Sequence, residues 1–223
     1  MTSAVFTDME GTLTTGSAPR LFVEVGARLG IFSRWEVFKM VVINLVGKPI
    51  PRSSRLRTKV YYFTLTSLIK GHTPAEMERI NAVVGPELLQ KVKPGSLARI
   101  REHQQAGLPV VVVSAGAQEM VAAFAKALGA TSGEGTRLVH KEGIYTGAGE
   151  EVCQGEGKAQ RIKQVAAERG YELSHSYGYG DTLPDVAFLE LVGHPAVVDP
   201  EPELAAVAQQ RGWRVIQNNE PAT

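Results

Sequence analysis

Four short stretches of this 223-residue chain carry side chains that can do chemistry, and they lie far apart in sequence. The first is Asp8-Met9-Glu10-Gly11-Thr12, directly after the apolar run 3–7 (SAVFT). In an extended segment residues 8 and 10 point to one side, and Gly11 lets the backbone turn tightly behind them. Two carboxylates so placed can hold a cation or act as nucleophile and acid; a solvated acidic turn would have the same sequence. The second is Ser114, which ends 109–114 (PVVVVS) and precedes Ala115-Gly116, where a helix is expected to begin. Free N–H groups at a helix start suit an oxyanion, and a capping serine would look alike. The third is Lys158 in Gly155-Glu156-Gly157-Lys158, within the first turn of an expected helix. A cation there opposes the helix dipole unless an anion compensates, so the alternatives are an anion site or an exposed surface lysine. The fourth, Gly180-Asp181-Thr182-Leu183-Pro184-Asp185, sets two carboxylates four residues apart across a helix start, where either could be a cap.

The elements that must position these groups alternate. Runs 3–7, 109–114, 174–180, 194–198 and 213–216 are short, β-branched or aromatic, and bounded by Gly, Pro or Asp, which predicts strands. Helical patterns fill 96–106, 116–128, 157–169, 184–192 and 201–211. Such alternation implies an α/β fold with a doubly wound, Rossmann-like parallel sheet, whose ligands bind beyond the carboxyl ends of the strands. All four stretches fall at such ends or at the helix starts that follow. Residues 16–93 break the alternation with four helical segments, near 17–30, 34–46, 52–70 and 74–90, and read as an all-helical cap inserted into a core formed by 1–15 and 94–223. Two strand-like runs around Lys141-Glu142-Gly143 signal a hairpin within 136–147.

The set and order of these motifs resemble the haloacid dehalogenase-like hydrolase superfamily, in which phosphatases carry Asp-x-Asp-Gly-Thr, a strand ending in Ser or Thr, a Lys, and Gly-Asp…Asp. The resemblance spans residues 3–216 and is nearest to the phosphoserine phosphatase-like branch, where a helical cap separates the first two motifs. It implies a phosphatase for a small phosphorylated metabolite. A phosphate ester needs an in-line nucleophile, charge neutralisation and a proton for the leaving alcohol. Asp8 is the candidate nucleophile, forming an aspartyl-phosphate, because a carboxylate attacks without first losing a proton. Mg²⁺, held by Asp8, Asp181, the Glu10 main-chain carbonyl and, directly or through water, Asp185, keeps nucleophile and phosphate from repelling each other. Ser114, Lys158 and the backbone of Gly11, Ala115 and Gly116 hold the phosphoryl group, and Glu10 is the acid–base.

Three departures bear on substrate and reaction. Glu10 stands where the family usually has Asp, and its extra methylene moves the acid by about 1.5 Å; relatives sharing Glu resemble phosphotransferases, which pass phosphate to a hydroxyl acceptor. The position that is acidic in phosphoserine phosphatases falls at Ser17, and no acidic residue lies between Gly11 and Arg20, which disfavours phosphoserine. Pro184 replaces an Asn that often precedes the last Asp. In the cap, Arg52, Arg55 and Lys59 form one helical stripe that either faces substrate or is solvated. The five histidines have no metal-ligand spacing, and neither they nor Cys153 are assigned a role. A receiver-type signalling domain, the rival from another class, is about half this length and lacks the insert.

Composition sets the outer bounds. With 43% hydrophobic and 21% charged residues and a net charge of +1, the chain is ordinary for a globular protein, and neutrality argues against a coat for nucleic acid or an anionic membrane. One cysteine, no basic–apolar leader and no apolar run near 20 residues lead to the expectation of a cytoplasmic protein without a membrane span. The +1 is a cancellation: residues 16–93 hold 13 Lys and Arg against 5 Asp and Glu, a net +8, whereas the rest is −7. A basic insert over an acidic core suits a small anionic substrate.

Overall fold

The computed structural model describes residues 2–47 and 55–218. Its centre is a seven-stranded sheet in the order β4-β3-β2-β1-β5-β6-β7. The strands are β1 (Val5–Thr7), β2 (Val110–Ala117), β3 (Ser132–Lys141), β4 (Ile144–Glu151), β5 (Tyr177–Gly180), β6 (His194–Val198) and β7 (Arg214–Ile216). All neighbours are parallel except β3 and β4, the hairpin, so the fold is the doubly wound α/β arrangement that the alternation predicts. β1 pairs with β2 on one side and β5 on the other, which makes it the point where the chain's winding reverses and where a crevice opens at the carboxyl ends.

Strand periodicity divides the core into two. Val5, Val110 and Val112 face one cluster, while Phe6, Val111 and Val113 face the other. On the second face lie α7 (Glu156–Arg169), the short α8 (Val186–Leu189) and α9 (Pro202–Arg211), contributing Ile162, Phe188 and Leu204. The first face receives α5 (Pro94–Gln105) and α6 (Gln118–Leu128) with Ile100 and Phe124. Among the described residues between β1 and α5 lie four helices, α1 (Ala18–Arg28), α2 (Arg34–Gly47), α3 (Arg55–Ile69) and α4 (Pro74–Leu89). Thr73 opens α4 with a capping box to Glu76, as its sequence suits.

The elements differ from the predicted ones where tertiary pairing overrides local pattern. The hairpin is longer, because β3 extends back to Ser132 to pair with β2, and its turn is the two residues Glu142-Gly143. β4 then meets the helices: the Gly71 N–H donates to the Tyr145 carbonyl at 3.0 Å, and the Tyr145 N–H to the His72 carbonyl at 2.9 Å. The predicted helix 184–192 is a 3₁₀ turn, Leu183–Asp185, followed by α8. Helix 116–128 starts two residues late. β2 continues to Ala117, which pairs with Thr136, and the Thr136 hydroxyl donates to the Ala115 carbonyl at 2.8 Å, drawing these residues into the sheet.

Candidate active site

Asp8 is the first residue past β1, and its N–H donates to the Tyr179 carbonyl of β5 at 2.9 Å, so the sheet fixes where the carboxylate emerges. Lys158 sits in the first turn of α7 and is 4% exposed, which removes the surface-lysine reading. Its Nζ donates to Asp8 Oδ1 at 2.7 Å and to Asp185 Oδ1 at 2.6 Å. The other Asp185 oxygen accepts from the backbone of Asp181 and Thr182 and from the Thr182 hydroxyl, at 3.1–3.2 Å. Asp185 therefore does both things its position allows: one oxygen holds the helix start and the other holds Lys158.

Asp181 follows β5 and is 3% exposed, with Oδ1 accepting from the Thr12 hydroxyl at 2.9 Å. Gly11 stands directly over it. A Cβ at Gly11 would come within 2.0 Å of Asp181 Oδ2, and its φ of +88° is one that side chains avoid. Oxygens from Asp8, Asp181 and Asp185 lie within 4.8 Å of one another. Burial pushes Asp8 up to about 6, with Lys158 pulling down and Asp185 pushing up. Burial, then the charges of Asp8 and Asp185, push Asp181 up to about 8. Burial alone would pull the Lys158 ammonium down, but Asp185 and Asp8 outweigh it and hold it above its usual range. Three buried carboxylates against one lysine leave excess negative charge in an all-oxygen donor set, and that fits a hard divalent cation.

The remaining predicted residues fall into three groups. Glu10 is half-buried, and its Oε1 accepts from the N–H of Ala18, the first residue of α1, at 2.9 Å; the carboxylate is anchored on that helix end. Ser114 is buried within β2 and accepts from the Gly116 N–H at 3.3 Å. Ala115 and Gly116 are strand residues, so the expectation that they open a helix is corrected: α6 starts at Gln118 with Ala117 as its N-cap. Arg52 lies outside the described residues, as does the side chain of Arg55.

Sequence reasoning missed the groups that hold the first loop in place. Ser96 donates from its hydroxyl to the Thr12 carbonyl at 2.8 Å, and Thr12 in turn orients Asp181. Lys93 donates to the Gly11 carbonyl and to Asp199 Oδ2, the latter at 2.8 Å, while Asp199 follows β6 with a left-handed φ of 41°. The Lys93 N–H also donates to the Leu13 carbonyl at 2.8 Å.

Comparison with known proteins points the same way as the geometry. A family model described as haloacid dehalogenase-like hydrolase matches residues 5–190. A probable phosphatase of Mycobacterium tuberculosis is 35% identical over 229 residues, covering 99% of this chain and 77% of that protein. A crystal structure of a protein of unknown function from Bordetella pertussis superposes with a TM-score of 0.82 at 25% identity, over 98% of this chain and 100% of the other. A substrate-bound phosphoserine phosphatase shares the fold, with a TM-score of 0.64 at 18% identity over 97% and 93% of the two chains.

Proposed function

The chain belongs to the haloacid dehalogenase-like hydrolase family and is a phosphatase, and from that premise we propose that it is a Mg²⁺-dependent phosphomonoesterase acting on a small phosphorylated metabolite through Asp8. The observation that carries this reading is the buried cluster in which Lys158 bridges Asp8 and Asp185 beside Asp181.

In the proposed reaction a carboxylate oxygen of Asp8 forms a bond to phosphorus as the bond to the ester oxygen breaks. The departing alkoxide takes a proton from Glu10. Water then attacks the aspartyl-phosphate, Glu10 recovers a proton from it, and the cleaved bond returns the Asp8 carboxylate and inorganic phosphate. Lys158 holds one Asp8 oxygen and keeps the carboxylate ionised despite its burial, while Ser114 and the backbone around Gly11, Ala115 and Gly116 position the phosphoryl oxygens. Asp8, Asp181, Asp185 and the Glu10 carbonyl would hold Mg²⁺, which would supply charge neutralisation for the anionic phosphoryl group. Helices α1–α4 act as the cap, with Arg52 and Arg55 meeting the substrate from its side. Ser17 supports the reading that phosphoserine is not the main substrate: it is exposed, neutral, and spends its hydroxyl on the Arg20 N–H at the start of α1.

Turnover of p-nitrophenyl phosphate tests this. Activity is expected with Mg²⁺, none in EDTA, and none in Asp8→Asn. A stable aspartyl-phosphate without turnover would instead indicate a receiver, and phosphoryl release that rises only on adding an alcohol would indicate a phosphotransferase.

A further inference from the structure

α2 and α3 present a face that an isolated water-soluble protein does not need. α2 buries Met40 against the core, with Val37 and Ile43 packed partly behind it, yet its other side is apolar as well. Trp35, Phe38, Val42 and Leu45, spaced by three and four residues, form one stripe along that side. Trp35 is 64% exposed and Leu45 65%, and the Trp35 and Phe38 rings stack with centroids 5.5 Å apart. α3 adds Leu56 and Phe63, two turns apart and both exposed. Seven of the nine exposed large hydrophobic side chains among the described residues belong to these two helices. A patch of this composition marks an interaction site.

Charge identifies the partner. Between Glu36 and Glu76 the sequence has seven Lys and Arg and no Asp or Glu. Lys39 and Lys59 are exposed on these helices, so a twofold contact between copies through this face would set like charges against each other, which disfavours a second chain as occupant. Exposed Trp, Phe and Leu flanked by Lys and Arg match instead a surface that is anionic outside and apolar beneath, the headgroup region of a bilayer. Whole-chain neutrality hides this because it averages two halves of opposite sign. The helices lie on such a surface and do not cross it: α2 has 14 residues, about 21 Å at the helical rise, against a hydrocarbon core of about 30 Å, and no described helix is long and apolar enough to span. We propose that the α2–α3 face docks on a bilayer containing anionic phospholipid, with Trp35, Phe38 and Leu45 entering the headgroup layer and Lys39 reaching lipid phosphates beside them.

Co-sedimentation of the full chain with vesicles of phosphatidylglycerol and phosphatidylcholine, against phosphatidylcholine alone, tests the proposal without reference to catalysis. Binding is expected only to the anionic vesicles, weakened by salt, with a blue shift of the Trp35 emission that persists in Trp213→Phe. Leu45→Glu should lower partitioning by at least roughly tenfold and Lys39→Glu by roughly fivefold, while both retain parental turnover of p-nitrophenyl phosphate. Failure to bind the anionic vesicles, equal binding to both kinds, or unchanged binding by both variants overturns it. A dimer in sedimentation velocity that Leu45→Glu dissociates, without vesicle binding, would assign the face to a second copy.

Discussion

The carboxyl edge of the sheet and the α2–α3 pair use charge in opposite ways. At the sheet edge Asp8, Lys158, Asp181 and Asp185 are all buried, and each meets a named partner. On α2 and α3 Lys39 and Lys59 are exposed, on helices that also carry exposed aromatic and aliphatic groups. Buried charge is expensive and geometrically specific, so small displacements there change chemistry. Exposed charge is screened and tolerant, so changes there alter association rather than turnover. The difference is thus more than a division of net charge: the sheet edge buries and pairs its charged groups, whereas α2 and α3 leave Lys39 and Lys59 beside open apolar surface.

The sharpest way to break that contrast is to make a change at the edge that leaves turnover intact. Asp8→Asn is expected to lower kcat by about a thousandfold or more, since it removes the proposed nucleophile. Thermal unfolding in EDTA should show no loss of stability, because the substitution takes away a buried carboxylate that burial itself disfavours. Retained activity would place the chemistry elsewhere.

A matched pair of glycines sharpens it further. Gly11 and Gly30 both have left-handed φ, +88° and +69°, and alanine at either costs about 1–2 kcal/mol of backbone strain. At Gly30, after α1, a Cβ meets nothing within 4 Å; at Gly11 it strikes Asp181 Oδ2. Gly11→Ala is therefore expected to lower turnover by at least roughly tenfold through the displaced carboxylate, and Gly30→Ala to lower only the melting temperature. Equal kinetic effects would show that Asp181 tolerates displacement.

The same contrast explains what was legible in the sequence. Asp8, Lys158, Asp181 and Asp185 could be picked out because each sits beside a local signal, a strand end or a glycine before a helix. The strand-helix alternation placed those signals on one edge. Lys93, Ser96 and the bond that Thr12 makes could not, because that work is done across the fold: Thr12 reaches Asp181 from 169 positions away and Lys93 reaches Asp199 from 106. No local pattern marks such a pair. Ala115 and Gly116 were misplaced for a related reason, since β3 pairs with the extended end of β2 and delays the helix. On α2, apolar residues lie around the whole circumference, and only the packing shows which side is left open.

Metal removal gives the next largest effect. An acid whose folded-state pKa is raised binds its proton more tightly when folded, so ionising it costs stability. Asp181 rises from 3.8 to about 8 and Asp8 from 3.8 to about 6. The EDTA-treated protein is therefore expected to be most stable at the acidic end of this window and to lose stability as pH rises through it. Mg²⁺ should restore most at the alkaline end, where both carboxylates are charged. Asp181→Asn keeps an acceptor for Thr12 and should flatten the slope. A stability that climbs with pH in EDTA would contradict the excess of buried negative charge.

In the insert the sign reverses and the size shrinks. Burial raises Glu36 a little, but the Ser33 hydroxyl and amide and then His72 outweigh it, so its carboxyl titrates below the usual range. Glu76 is lowered by the Thr73 amide and hydroxyl, against slight burial, with His72 adding to the pull. A depressed acid contributes stability above its unfolded value, here 4.5, and loses that contribution as pH falls through the folded value. His72 meets Glu36 at 3.0 Å and Glu76 at 3.6 Å, joining the starts of α2 and α4, but both carboxylates remain open to solvent and are screened. Glu36→Gln is expected to lower the melting temperature at neutral pH by only about 1 °C, with the difference vanishing in acid and turnover unchanged. Differential scanning calorimetry across pH, in EDTA, resolves both slopes in one protein. Slopes of one sign for Asp181→Asn and Glu36→Gln would mean that burial does not separate the two regions as their charges imply.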